Sequence, residues 1–450
     1  MGSPEVTRRT VTHDKERRPL VPERSPLEQE LLHKAAKYLP GGYTGNLTVR
    51  DDLNFLAQRG KGSHIFDVSG NEYVDWLMGS GPMLLGHAHP AVVEAVIKAV
   101  EQGSTFFATN EKAVLLAETL VEAVACAEQV RFTTSGTDAT FQAMRAARSY
   151  TKKEKILKFE GGFHGTSDYA LMSFTPSAAE EFPQAEANTG GIPKAIQDLM
   201  LIAPFNDLDT TTAIIDAHHE ELAAVIVEPL QRVITPQPGF LQGLRKIATK
   251  YEIPLIFDEV VTGFRLAYGG AQEYYGVVPD LCCMGKIMGG GYPLAVVLGR
   301  RDILSVYNPA ESDADSFVNQ IGTLNGNPIA CAAGLATLAE LRKPGIYEGL
   351  HETGSRLRQA LVDSCAENDI PVRMCGEDAI FDVYFTDRPV LNYRDTLTAD
   401  GRMMGHFNAG LLERGILKGT QKFYPSTVHT QEDVDKTIQA FQEVVPTLRG

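Results

Sequence analysis

The 450-residue sequence predicts an α/β fold, with a large domain built on a mostly parallel seven-stranded sheet and a smaller α+β domain at its C-terminal end. Short apolar runs near Val130, Ile156, Leu199, Ala224, Leu255, Leu281 and Ala295 alternate with helical spans such as residues 241–251. Regular strand-then-helix alternation argues for parallel pairing with helices on both faces. The run 254–257 is continuous rather than alternating in apolar residues, as in a strand covered on both sides. The chain is also longer than one core usually supports, so two domains are expected.

In chain order, residues 1–25 carry the mixed-charge stretch RRTVTHDKERR with prolines nearby and no apolar pattern, and read as a mobile arm. Acids among the bases and the lack of an apolar core argue against a targeting peptide. Residues 26–90 form an N-terminal segment expected to pack with the small domain. Leu27, Leu31, Leu32, Ala35 and Ala36 have helical spacing, Pro40-Gly41-Gly42 ends that helix, and HIFDVSGNEYVDWL reads as a hairpin turning at Ser69-Gly70-Asn71. Residues 91–342 form the large domain, opening with two amphipathic helices around a loop at 103–110. Within it, 173–191 is polar and Pro-containing, and reads as a surface insertion near the entrance to the site. Lys343-Pro344-Gly345 marks the boundary to the small domain, 343–450, with a helix over 347–368 and a last helix from Gln431.

Chemistry concentrates at strand ends. The run 254–257 delivers Asp258 and Glu259, and the run 281–284 ends before Gly285-Lys286 and Gly289-Gly290-Gly291. Open α/β sheets bind ligands outside the carboxyl ends of their strands, so Asp258 and Lys286 should face one crevice. An apolar run ending in Asp-Glu also occurs in P-loop ATPases, but the string G-x-x-x-x-G-K-[ST] is absent. A third strand, 128–133, feeds Ser135-Gly136-Thr137 into a helix; free N–H groups, the helix dipole and two hydroxyls there suit a phosphate.

Other features exclude partners. A formal net charge of −15 argues against nucleic acid and anionic membranes, and no apolar run reaches the ~18 residues of a membrane span. His87 and His89 invite a metal reading, but no third ligand is in view, so no metal is expected. Six cysteines without ligand spacing read as reduced thiols of a cytoplasmic enzyme.

The ordered strings SGTDA, GGFHG, VEPLQ, FDEVVTGF, MGKIMGGG and GTLNGNP resemble the class III aminotransferases among the fold-type I pyridoxal-phosphate enzymes. The resemblance runs from Tyr38 to the C-terminus and is greatest toward the branch of glutamate-1-semialdehyde aminomutase and the β-amino-acid aminotransferases. It implies pyridoxal 5'-phosphate as cofactor, with Lys286 forming the Schiff base and carrying the proton. Asp258 would pair with the pyridine nitrogen and keep the ring an electron sink. Val260 would pack under the ring and Phe163, where the family more often has Tyr, would stack above it beside His164. Gln231 would donate to the phenolic oxygen, and Ser135, Gly136 and Thr137 would hold the phosphate. In the family a Gly-Thr pair from the partner subunit completes the phosphate cup; Gly322-Thr323 matches it, which implies a homodimer with a shared site.

The substrate end is less defined. Tyr43, Asn46 and Arg50 border it in relatives, although Arg50 stands about two positions later than the family's carboxylate-binding Arg; Arg232 and Arg265 are further candidates for that carboxylate. The aminomutases carry a Glu before their final Ser-Leu-Ala-His-Thr, where this chain has GTQKFYPSTVHT with Lys422, Phe423 and Tyr424. That departure favours amino transfer between an amino donor, such as a β-amino acid, and a small 2-oxo acid acceptor. The alternatives are a 2,1-aminomutase, a racemase on the same scaffold, and a non-catalytic relative that binds the cofactor.

Overall fold

Seven strands form the central sheet of the computed structural model, which describes residues 23–45, 54–176, 180–420 and 422–449. Their order is Gln129–Thr133, Ala295–Gly299, Leu281–Met284, Leu255–Glu259, Leu222–Val227, Lys155–Phe159, Met200–Ala203. Ala295–Gly299 runs antiparallel to both neighbours and every other pairing is parallel. The expected mostly parallel sheet is therefore present, with all seven strands at the expected places.

Both faces are covered, which explains the continuous apolar runs. Leu255 and Phe257 pack with Phe159, Phe205 and Phe240 on one side, while Ile256 joins Ala143, Met144 and Ala147 on the other. The helix Gly136–Thr151 supplies the second group and Phe240–Lys250 helps supply the first. Each large side chain so buried contributes about 2 kcal/mol, and together they fix where the strand ends lie.

The two ends of the chain meet in a second sheet. Ala57–Lys61, His64–Asp67 and Glu72–Asp75 form an antiparallel meander, and Ile416–Leu417 adds to it in parallel beside Glu72–Asp75. Trp76 secures the junction: its ring stacks on His429 at 3.7 Å and its Nε1 donates to Thr437 at 2.9 Å. Phe423 N donates to Phe381 O, and Tyr424 N to Trp76 O, both at 2.8 Å, so the strip from 422 to 424 has a fixed backbone beside the crevice.

The stretch 173–191, expected as a surface insertion, is exposed or half-buried at most of its described residues and is tied to the domain by backbone bonds: Ser173 N donates to Glu186 O at 2.7 Å, Gly161 N to Ser173 O at 2.8 Å, and Ala185 is buried. Phe174, Phe182 and Ala185 anchor it, apolar residues outweighed in the sequence by polar neighbours. Residues 1–22, which include most of the expected arm, lie outside the described residues. All six cysteines are free thiols, and no described helix is long and apolar enough to cross a membrane.

Candidate active site

Strand alternation sends the two acids at the end of Leu255–Glu259 to opposite faces. Glu259 turns away from the crevice, accepting from Gln272 Nε2 at 3.0 Å, Thr262 Oγ1 at 3.2 Å and the backbone of Ala271; burial pushes its carboxyl pKa up. Asp258 faces the crevice. Its Oδ2 lies 2.8 Å from His164 Nδ1, and its Oδ1 accepts from Val260 N at 3.1 Å. With its Nδ1 proton donated to Asp258, His164 keeps that carboxylate fixed in direction. His164 Nε2 is buried without a hydrogen-bond partner among the described residues.

Lys286 opens the short turn Lys286–Gly289 with φ 48°, a left-handed conformation that a lysine holds only when its surroundings impose it. Burial lowers its ammonium pKa; Asp258 opposes that shift and Arg232 adds to it. A lysine in such a site gives up its proton more readily than one in water, and the free amine can attack a carbonyl or take a proton.

The third element joins them at Val260. A Cβ added to Gly136 would lie 2.8 Å from Val260 Cγ1, and one added to Gly285 would lie 3.7 Å from the same atom. The start of helix Gly136–Thr151, the acid-bearing strand and the lysine turn thus share one contact. At that helix start the Ser135 hydroxyl accepts from Asp138 N at 3.2 Å, and Thr137 Oγ1 accepts from Thr166 N at 3.3 Å. Gly165, at φ 88°, passes so close to Thr137 that a Cβ would come within 2.6 Å of Oγ1.

The loop bearing Phe163 and His164 is tied down by residues that sequence reasoning missed. Lys158 Nζ donates to the carbonyls of Gly162, Ala170 and Met172 at 3.0, 2.7 and 2.6 Å. Glu160 receives both Arg394 Nε at 2.8 Å and Arg394 Nη2 at 3.0 Å. A lysine inside the apolar strand sequence KILKF was the available signal for the first; nothing local pointed to Arg394, 234 residues away. Gln231 Nε2 donates to Glu160 O at 2.7 Å, while its buried Oε1 has no partner among the described residues.

Phe163 packs against Phe174 with ring centroids 4.9 Å apart, and the Arg232 guanidinium lies 5.7 and 5.6 Å from the two rings. Arg232 N donates to Glu228 Oε2 at 2.8 Å. Arg265, by contrast, is engaged by the backbone: its guanidinium donates to the carbonyls of Gly81, Ala379 and Pro425 at 2.6, 3.0 and 3.1 Å. Its charge knits three chain segments together. Thr323 sits apart in an exposed loop beside a cleft of about 430 Å³ lined also by Phe106, Phe107 and Ile321. Tyr43 is half-buried, while Asn46 and Arg50 lie outside the described residues.

Among the described residues no group of three or more His, Cys, Asp or Glu could hold a metal ion; His87 Nε2 instead pairs with Asp75 at 2.7 Å.

Comparison with known proteins places these residues in context. A family model described as aminotransferase class III matches residues 48–445. A glutamate-1-semialdehyde 2,1-aminomutase of Desulforudis audaxviator is 42% identical over 92% of this chain and 96% of its own length. One from Methanocaldococcus jannaschii is 39% identical over 92% and 97%. Among solved structures, an omega-transaminase from Sphaerobacter thermophilus superposes with a TM-score of 0.90 at 35% identity, covering 95% of this chain and 99% of that one. A β-phenylalanine aminotransferase from Variovorax paradoxus gives 0.85 at 30% identity, covering 94% of each.

Proposed function

Since the chain belongs to the class III aminotransferases, we propose that it uses pyridoxal 5'-phosphate to move an amino group, with Lys286 as the reacting amine. The observation that carries this reading is the convergence of Asp258, Lys286 and the helix-start turn Ser135-Gly136-Thr137 on Val260. The donor set fits that cofactor. Helix-start N–H groups and two hydroxyls suit its phosphate, and a histidine-held carboxylate suits a protonated ring nitrogen. Val260 and Phe163 offer apolar surface for the two faces of the ring, and Gln231 supplies amide hydrogen-bonding capacity nearby.

The bound cofactor supplies an electron sink that lets a proton leave the carbon bearing the amino group. Lys286 holds and returns that proton at Nζ, for which its lowered pKa suits it. The His164 hydrogen bond holds the Asp258 carboxylate in place. Phe163 and Phe174 keep water from that side of the crevice, and Arg232 offers a cation to a substrate carboxylate. A second copy of the chain would add Gly322-Thr323 to the phosphate end; Phe107 at 70% and Ile321 at 75% exposure leave apolar surface around that loop for a homodimer. The free thiols support a reducing, cytoplasmic setting.

Two reaction courses share this machinery. The names of the curated relatives favour an intramolecular 2,1-aminomutase. Transfer from an amino acid to a 2-oxo acid is favoured by the strip Lys422-Phe423-Tyr424 where the aminomutases have another sequence, and it agrees with the transaminases among the structural neighbours. Donor panels with and without a 2-oxo acid decide between them. Sustained turnover only with acceptor present supports transfer between molecules, and sustained turnover of glutamate-1-semialdehyde alone supports the aminomutase.

A further inference from the structure

Arg394 sits on the short helix Tyr393–Thr396, whose start is locked by a capping box: Asp395 N donates to Asn392 Oδ1 at 3.2 Å and Asn392 N to Asp395 Oδ2 at 3.1 Å. Asn206 Nδ2 donates to Leu391 O at 2.8 Å, and Val390 packs in the cluster of Phe159 and Phe205, so this helix is seated against the central sheet. From there the guanidinium fork meets Glu160, with Nε 2.8 Å from Oε2 and Nη2 3.0 Å from Oε1. Nη2 also donates to Glu180 O at 2.7 Å, and the guanidinium lies 4.4 Å from the Phe182 ring. One arginine thus joins both ends of the segment between 160 and 182.

Glu160 is the last residue before Gly161-Gly162-Phe163-His164, and its side chain is 6% exposed. Among the described residues Arg394 is the only cation within ion-pair distance of it. The Glu160 carbonyl accepts from Gln231 Nε2 at 2.7 Å. Gly161, at φ 81°, lies so close to Tyr393 that a Cβ would come within 2.6 Å of that ring's Cδ2. A Cβ on Gly162 would meet His164 Nε2 at 3.2 Å and Gln231 Oε1 at 3.4 Å, and His164 Nδ1 in turn lies 2.8 Å from Asp258 Oδ2. An enclosed acid deprived of its cation turns toward water rather than stay unpaired. The two glycines that follow Glu160 are the part of the strand end that yields most easily. Movement there carries the acceptor of Gln231 and the His164 ring with it.

We infer that Arg394 is a positioning residue for the amino-group chemistry: through Glu160 it holds the turn that aims Gln231 and His164, and with His164 the Asp258 carboxylate, at the cofactor. Lys158 holds the same turn by the Gly162 carbonyl from within the sheet but makes no ion pair with Glu160, so the two ties are not interchangeable. The inference deepens the proposed reading of Lys286 and Asp258 and rests on it. It holds for either reaction course, because both need the ring held by the same residues.

The test uses cofactor-loaded full-length protein as wild type, Arg394→Met, Arg394→Lys, Glu160→Gln, and a variant carrying both Arg394→Met and Glu160→Gln. In Arg394→Met, kcat at saturating cofactor should fall about tenfold with KM nearly unchanged, and the cofactor, followed by its absorption after dilution, should dissociate about tenfold faster. Arg394→Lys should recover part of both, because an ammonium restores the charge without the fork. The double variant should be no worse than Arg394→Met alone, since the pair acts as one unit. Amide hydrogen exchange should quicken at residues 160–166 and not in the helix Gly136–Thr151. Should Arg394→Met fail to fold, Glu160→Gln, which keeps the shape and removes the charge, should show the same pattern. Wild-type kcat and cofactor release in Arg394→Met overturn the assignment. So do additive losses in the double variant, or exchange that quickens equally throughout the molecule, which marks a general loss of structure. Borohydride reduction and peptide mapping separately test whether the cofactor is joined to Lys286, and hydrogen exchange reads the Arg394 tie even if that mapping fails.

Discussion

The charged groups around His164 have hydrogen-bonded partners, whereas three cationic side chains elsewhere in the molecule stand without them among the described residues. Asp258 is held by His164, Lys158 by three carbonyls and Glu160 by Arg394. Arg232, Lys286 and Lys422 have no ion pair among the described residues. A region whose charges are satisfied internally is preorganised and suits a group that stays bound through every cycle. One that keeps like charges unpaired suits an anion that arrives and leaves.

The greatest loss should come from Lys286→Ala, which removes the only amine that the proposed chemistry uses. Multiple-turnover activity is expected to fall by ~10³-fold or more, since a positioned acid–base group and the covalent attachment are lost together. Normal turnover by this variant would remove Lys286 from the mechanism. Asp258→Asn follows, with kcat reduced by ~10² to 10³ at saturating cofactor, because an electrostatic partner to the ring disappears while the shape stays. A near-wild-type kcat there would dissolve the distinction between a satisfied cofactor end and an unsatisfied substrate end.

Two arginines sharpen the comparison. Arg265 is fully buried and spends its guanidinium on the carbonyls of Gly81, Ala379 and Pro425. Arg265→Met should therefore lower folding stability by about 3 kcal/mol, visible as a lower Tm, because buried carbonyls lose their donors. Arg232→Met should leave Tm nearly unchanged and raise KM for a carboxylate-bearing donor by roughly 10-fold, with little change for its amide. Reversal of the two outcomes would mean that the spent and the free guanidinium have been wrongly told apart.

The same division governed what could be read from the sequence. Asp258, Lys286 and Ser135-Gly136-Thr137 were legible because each ends a strand or starts a helix, and a parallel sheet brings such ends to one edge. Arg265 was not resolvable from Arg232 in the sequence, since both are arginines just after a strand-end motif and only the fold shows which one meets backbone carbonyls. Arg394 and Phe423 are placed from the far part of the chain, through Glu160 and through the bridge to Phe381. Their positions depend on long-range pairing that local periodicity does not encode.

The smallest effect expected is a change with pH. Burial first, then Arg232 and Lys286, lower the Lys422 ammonium to about 7, against Glu228 and Asp382, which hold it up. The cation is present below that value and lost above it. The sign for folding follows from the same shift: the unfolded chain holds this proton up to its ordinary value of 10.5, so the buried amine costs stability increasingly as pH falls from there toward about 7. The Tm of wild type should therefore fall relative to that of Lys422→Met as pH is lowered from 10.5 toward about 7, and parallel Tm curves for the two proteins would remove the buried amine from this account.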